Sequence, residues 1–154
     1  MRYVIALLAV AGVVVSSLAL QVHYSNAVEP CDINSRWDCG IVNHSSFATL
    51  NGLWWHLRES RHPEMEGTPA PRTGVPVAAV GIAAYLAIFV LALFRRRWWV
   101  VLFALGGLVF ALYLSNIEAH VLEVWCLYCV ISQFLIASIA LLSVVWLFFR
   151  RRRA

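Results

Sequence analysis

Four long stretches of this sequence carry no charge: Tyr3 to Val22, Val75 to Phe94, Trp98 to Ser115 and Trp125 to Phe149. A helix needs about 20 predominantly apolar residues to cross the hydrocarbon of a bilayer, within a range of about 17–25. Lipid offers no water to an exposed amide or carbonyl, so runs of this length read as helices. The expectation is an all-α membrane protein, a four-transmembrane-helix bundle with helices at about 3–22, 75–94, 98–115 and 125–149. The chain has 154 residues, 62% hydrophobic and 13% charged, which is too apolar for an ordinary soluble domain. Its length suits a single membrane domain over 1–154. The lipid bilayer is the partner this composition implies; nucleic acid is not.

The charges orient the runs. Arg2, the triplet Arg95 to Arg97 and the run Arg150 to Arg153 hold eight of the twelve Arg and none of the acids. They share one side if all four runs span. All eight acids and the other four Arg fall on the opposite side. The excess of Arg then places both termini in the cytoplasm. Trp98 and Trp99 sit beside the Arg triplet, as interfacial anchors do. The opening "MRYVIALLAVAGVVVSSLALQVHYSNA" also has the outline of a secretory signal. Its apolar core exceeds the usual signal length of about 7–15 residues, so a retained anchor helix is expected.

The first outside loop, 23–74, is long, and loops beyond about 12–15 residues are mostly functional or disordered. "EPCDINSRWDCG" supplies two cysteines. "SSFATLNGLWWHLRES" spaces Phe47, Leu50, Trp54 and Leu57 at helical intervals. That spacing suggests a short amphipathic helix lying on the membrane, capping the bundle or packed locally on the loop. "RHPEMEGTPAPRTGVP" reads as a linker. A short turn containing "NIEAHVLEV" joins the third and fourth helices.

All four cysteines fall on the outside, where disulfides persist. Cys31 and Cys39 lie in the first loop, and Cys126 and Cys129 open the last helix as "CLYC". Three readings compete. Two inert disulfides would stabilise little: closing the loop from Cys31 to Cys39 is worth about 2.5 kcal/mol at best. A four-cysteine zinc site has the right ligands. A redox relay accounts for more. A Cys-x-x-Cys at a helix start sets both sulfurs on one face. The helix N-terminus there favours a thiolate, the nucleophile of disulfide exchange. A pair at the mouth of a membrane bundle can reach a lipid-soluble acceptor, a quinone.

These features resemble the vitamin K epoxide reductase family, in its bacterial disulfide-forming branch. The resemblance covers nearly the whole chain. It rests on four helices, "CDINSRWDC" followed by "GIVNHS", a Gly-Val-Pro entry to the second helix with Gly81 and Tyr85, and "CLYC" opening the fourth. Quinone-linked oxidases of the DsbB type carry their two cysteine pairs in the reverse order. The resemblance implies that Cys129 faces the quinone, that Cys126 exchanges with Cys39, and that Cys31 is the entry thiol. It also implies that Ser45, six residues after Cys39, hydrogen-bonds a quinone oxygen, with Ser46 as the neighbouring candidate. Two positions depart from the animal members: Val77 stands where they have Asn, and Gln133 where they have Tyr. Both touch the naphthoquinone pocket and count against epoxide reduction while leaving quinone reduction intact. Gln133, one turn below Cys129, is a candidate pocket residue or a bond to a neighbouring helix.

The implied function is a quinone-dependent thiol-disulfide oxidoreductase in a bacterial cytoplasmic membrane. It would oxidise a separate thioredoxin-fold (DsbA-like) partner and pass the electrons to ubiquinone or menaquinone, with no metal. The alternatives are a vitamin K quinone or epoxide reductase using the same relay, and a non-catalytic membrane subunit with inert disulfides.

Overall fold

The computed structural model describes residues 1–25, 31–59, 61 and 69–151, with the side chains of 150 and 151 left aside. Its elements in chain order are α1 (Arg2–Tyr24), α2 (Cys39–His44), a 3₁₀ turn (Ser46–Ala48), α3 (Leu50–Glu59), α4 (Val77–Leu93), α5 (Arg97–Ile117), a π turn (Glu118–Leu122) and α6 (Leu127–Arg151). Among the described residues there is no strand, only isolated bridges. The linker read over Arg61 to Pro76 falls partly on 62–68, outside the described residues. Glu29, Arg152 and Arg153 also lie outside them.

Among the described residues, three helices are long and apolar enough to cross a membrane: Arg2–Tyr24, Arg97–Leu122 and Leu127–Phe149. The second apolar run forms a shorter helix, Val77–Leu93. Its start is set by Pro76, which holds the entering backbone extended. Its end is set by Arg95 in the left-handed conformation, with φ 58. The Arg96 amide reaches back to the Leu91 carbonyl, 3.0 Å, the long return bond of a helix stop usually given to glycine.

The four apolar helices pack as α1 against α4 and α6, and α5 against α6 and α4. Their shared core is built from Ile5, Ala9, Ile88, Ala92, Val100, Ala104 and Ile139, with small residues where backbones approach. A side chain at Gly12 would run into the Tyr85 ring, so glycine there lets α4 close on α1. The Tyr85 hydroxyl then donates to the Ser132 carbonyl at 2.8 Å, tying α4 to α6. At the opposite end, the Arg97 guanidinium lies over the Trp146 ring, 4.7 Å from its centre, and fastens the start of α5 to α6. The outward surface is apolar: Leu7, Val109, Phe134 and Leu141 are 67–72% exposed. Lipid rather than water suits that surface.

Two parts of the loop region differ from the sequence expectation. The stretch 45–59 is not one helix but a 3₁₀ turn followed by α3. The chain turns at Thr49, and Leu50 bonds the Val75 carbonyl just ahead of α4, 3.0 Å. The Ser46 carbonyl presses so close to Gly52 that no Cβ would fit there. The segment "NIEAHVLEV" is likewise not a simple turn. The α5 helix runs on into the π turn, which is stopped at Glu123 in the left-handed conformation, φ 55.

Candidate redox site

The first cysteine pair owes its geometry to two aspartates. Asp32 Oδ1 accepts from the amides of Cys39, 2.9 Å, and Gly40, 3.2 Å. Asp38 caps α2 by accepting from the Ile41 amide at 2.8 Å. Both carboxylates satisfy amides that the first turn of a helix leaves free, and they fix Cys39 at the first position of α2. Cys31 and Cys39 are joined in a disulfide, with Cα atoms 5.9 Å apart.

The loop is then clipped to the start of α6 by backbone alone. The Asp38 amide donates to the Trp125 carbonyl, 3.1 Å, and the Trp125 amide donates to the Arg36 carbonyl, 2.8 Å. The indoles of Trp37 and Trp125 lie 6.4 Å apart above this clip. As a result Cys31, Cys39 and Cys126 are buried in one cluster with Val22, Val42 and Val124, and Cys129 packs against it. Cys126 and Cys129 are free thiols.

Cys126 sits just ahead of α6, with its carbonyl accepting the first helical bond from Val130, 3.0 Å. Its thiol is held below the ordinary thiol value, first by the hydrogen bond from the Cys129 thiol. The amides of Cys129 and Tyr128, at the open end of α6, lower it further, while burial and the Glu118 charge push the other way. Asn43, buried on α2, connects the two pairs: its Nδ2 donates to the Cys39 carbonyl at 2.9 Å and to Cys126 Sγ at 3.6 Å.

Cys129 faces another environment. It lines a cavity of about 510 Å³ bounded by α1, α4, α5 and the start of α6. Most of the lining is apolar, with polar exceptions that include His23, Asn43, Ser45, Ser115, Glu118 and Ser132. The α5 wall includes Trp99, Leu102 and Phe103, which are also among the exposed apolar residues of the bundle. The cavity's volume falls within the roughly 300–1,000 Å³ usual for small-molecule sites.

Ser45 lines this cavity, its hydroxyl donating to the Val42 carbonyl at 2.7 Å. Ser46 does not line it; its Oγ meets His56 Nε2 at 2.9 Å, and His56 Nδ1 meets Glu59 at 3.2 Å. Gln133 is likewise outside the lining. Its Oε1 accepts from Ser115 at 2.6 Å, which makes it a strut between α5 and α6. Cys31, Asp32 and Cys39 bring three potential metal-ligand atoms within 4.8 Å of one another. Two of them are disulfide sulfurs, which have no thiolate to offer a metal. The residues that the sequence reading passed over are Asn43 and Glu118. Glu118 lies in the polar turn "NIEAHVLEV", where an acid draws no notice.

The family model of the vitamin K epoxide reductase family matches residues 3–144. The chain belongs to that family. A comparison with curated proteins returns no match. As a vitamin K epoxide reductase family member, it is an integral membrane thiol oxidoreductase that works through a cysteine relay. The family in general uses quinone as electron carrier and works with a thioredoxin-like partner. The cavity fits such an acceptor: apolar walls suit a flat ring and its tail, and Cys129 is in the wall.

Proposed function

We propose that this protein is a quinone-linked thiol oxidase of the bacterial disulfide-forming branch. It oxidises a separate thioredoxin-fold partner and delivers the electrons to ubiquinone or menaquinone. One observation carries this reading. Cys126 is buried with the loop disulfide, while Cys129, three residues on, lines the apolar cavity between the long helices. The reading takes α4 as a fourth span, shortened between Pro76 and Arg95. It takes both termini as cytoplasmic, the four cysteines as extracytoplasmic and 1–154 as one domain.

A bound quinone supplies a sink for two electrons and two protons. The protein's residues do the rest by thiol-disulfide exchange. A partner thiolate attacks Cys31 and releases Cys39. The partner's second thiol resolves the mixed disulfide, leaving Cys31 and Cys39 reduced. The Cys39 thiolate attacks Cys126 of the Cys126–Cys129 disulfide and releases Cys129. Cys31 then resolves that bond, restoring Cys31–Cys39 and leaving Cys126 and Cys129 as the dithiol. Asn43 steadies the transfer, since it bonds the Cys126 sulfur and the Cys39 backbone together. Ser45 is positioned to donate to a quinone oxygen after turning from the Val42 carbonyl. Gln133 acts at one remove, by holding Ser115 and so the α5 wall. Val77 lines the cavity and offers no hydrogen bond where animal members carry Asn, which favours quinone reduction over epoxide reduction.

The test mixes purified protein with a reduced thioredoxin-fold protein and ubiquinone or menaquinone and follows quinone absorbance. Thiol-dependent reduction is expected. Cys31→Ser is expected to block the protein substrate while sparing reduction by a small dithiol. No thiol-dependent reduction by the wild type overturns the reading.

A further inference from the structure

The quinone reading leaves one buried group without a task. Glu118 lies in the π turn, only 3% exposed, and lines the same cavity as Cys129. Its Oε2 accepts from the Cys126 amide at 3.3 Å, and the Cys129 thiol lies near enough to act on its carboxyl. One side chain therefore bonds the backbone of the first motif cysteine and shares with the second the wall of the space the acceptor enters. Burying a carboxylate is costly, and a purely structural bond to one amide would be served as well by a glutamine.

We propose that Glu118 is a catalytic proton carrier: it takes the proton from the Cys129 thiol and gives it to the acceptor's oxygen. The proposal rests on quinone reduction at this cavity. The balance is complete within the site. Two S–H bonds break, at Cys126 and Cys129, and one S–S bond forms between them. Two electrons pass to the quinone, and two O–H bonds form on it. Glu118 carries the Cys129 proton to one quinone oxygen, the proton given up by Cys126 completes the second O–H bond, and Glu118 ends the cycle as it began. A carrier is needed because the cavity wall around Cys129 is mostly apolar and offers water few partners.

Glu118→Gln separates this role from a structural one, because the glutamine carbonyl still accepts from the Cys126 amide. In the full-length protein with a small dithiol and ubiquinone, Glu118→Gln is expected to lower kcat by about 10²-fold or more, the range of general acid-base catalysis. The KM for quinone should stay within about threefold. Glu118→Asp is expected to keep part of the rate, and formate to restore part of it to Glu118→Gln. A second readout needs no quinone. In the reduced protein, the infrared S–H stretch that disappears in Cys129→Ser should shift in Glu118→Gln, which loss of a merely structural bond would not cause. Wild-type activity with a Glu118→Gln rate within about threefold of it, or an unmoved S–H band, overturns the proton-carrier role and leaves the quinone reading standing. A wild type that reduces no quinone overturns both.

Discussion

The two cysteine pairs lie at the same end of the molecule and differ in almost everything else. Cys31–Cys39 is a closed bridge in a short loop shaped by Asp32, Asp38 and backbone hydrogen bonds. Cys126 and Cys129 are free and straddle the first turn of a membrane helix. The first pair is held by polar contacts of the kind water-facing loops use. The second is divided between two apolar surroundings, the cysteine cluster on one side and the cavity on the other. The difference shows how one helix start joins two media: a single turn, three residues long, moves a sulfur from the loop cluster to the cavity wall.

The largest expected effect breaks the pair at its cavity end. Cys129→Ser should abolish quinone reduction while leaving Cys31–Cys39 reducible by a small dithiol, read by thiol labelling. Retained quinone turnover would remove Cys129 from the exit position. Next is the link between the pairs. Asn43→Leu keeps volume but removes the amide that bonds the Cys126 sulfur and the Cys39 carbonyl. Rapid-mixing transfer from the loop pair to the motif pair should slow by about tenfold, in line with a hydrogen bond to a charged group. An unchanged transfer rate would make Asn43 a packing residue only.

A third measurement concerns the thiolate itself. Cys126 is held below the ordinary thiol value, chiefly by the Cys129 thiol. Its ultraviolet thiolate band should therefore develop at lower pH than that of a free cysteine. Cys129→Ala removes the main stabilising donor, so the midpoint should move up and the thiolate fraction at neutral pH should fall. A midpoint that stays or falls would mean that the helix amides dominate. The smallest effect lies furthest from the sulfurs. Gln133→Leu removes the strut to Ser115 and should cost about 0.6 kcal/mol, the average for such bonds between membrane helices. Thermal unfolding in detergent measures it, and quinone KM should move little; a large rise in KM would return Gln133 to the quinone site.

Much of the architecture was legible because lipid permits few solutions. The apolar runs and the Arg clusters marked four spanning helices; three have that length, and the second run forms a shorter one. The ends were less clear, since Pro76 trims the second run from within its apolar stretch. The loop was harder. The helix α2 has six residues and little apolar pattern, and only its cap, Asp38 ahead of Cys39, announces it. The π turn had no signal, because it continues the α5 helix in a different hydrogen-bond register. In the site, the cysteines stood out by spacing, and Ser45 came from the family likeness. Asn43 and Glu118 did not stand out, because each acquires its meaning from a neighbour more than eighty residues away or across a break in the helix. Gln133 illustrates the converse: the spacing that sets it a turn below Cys129 cannot say which way it turns, and Ser115 decides that.

The clip between Asp38 and Trp125 has a kinetic consequence. It consists of two backbone hydrogen bonds that involve neither cysteine, so opening the disulfide in itself breaks neither. Without it, Cys39 would search for its target at the end of a loop, and each turnover would bear the entropy of that search. With it, the exchange has a high effective molarity, and side-chain rotation suffices where a loop would otherwise have to close. On the proposed relay, the membrane end would then stay near the loop pair, and the slow encounter would be left to the thioredoxin-fold partner.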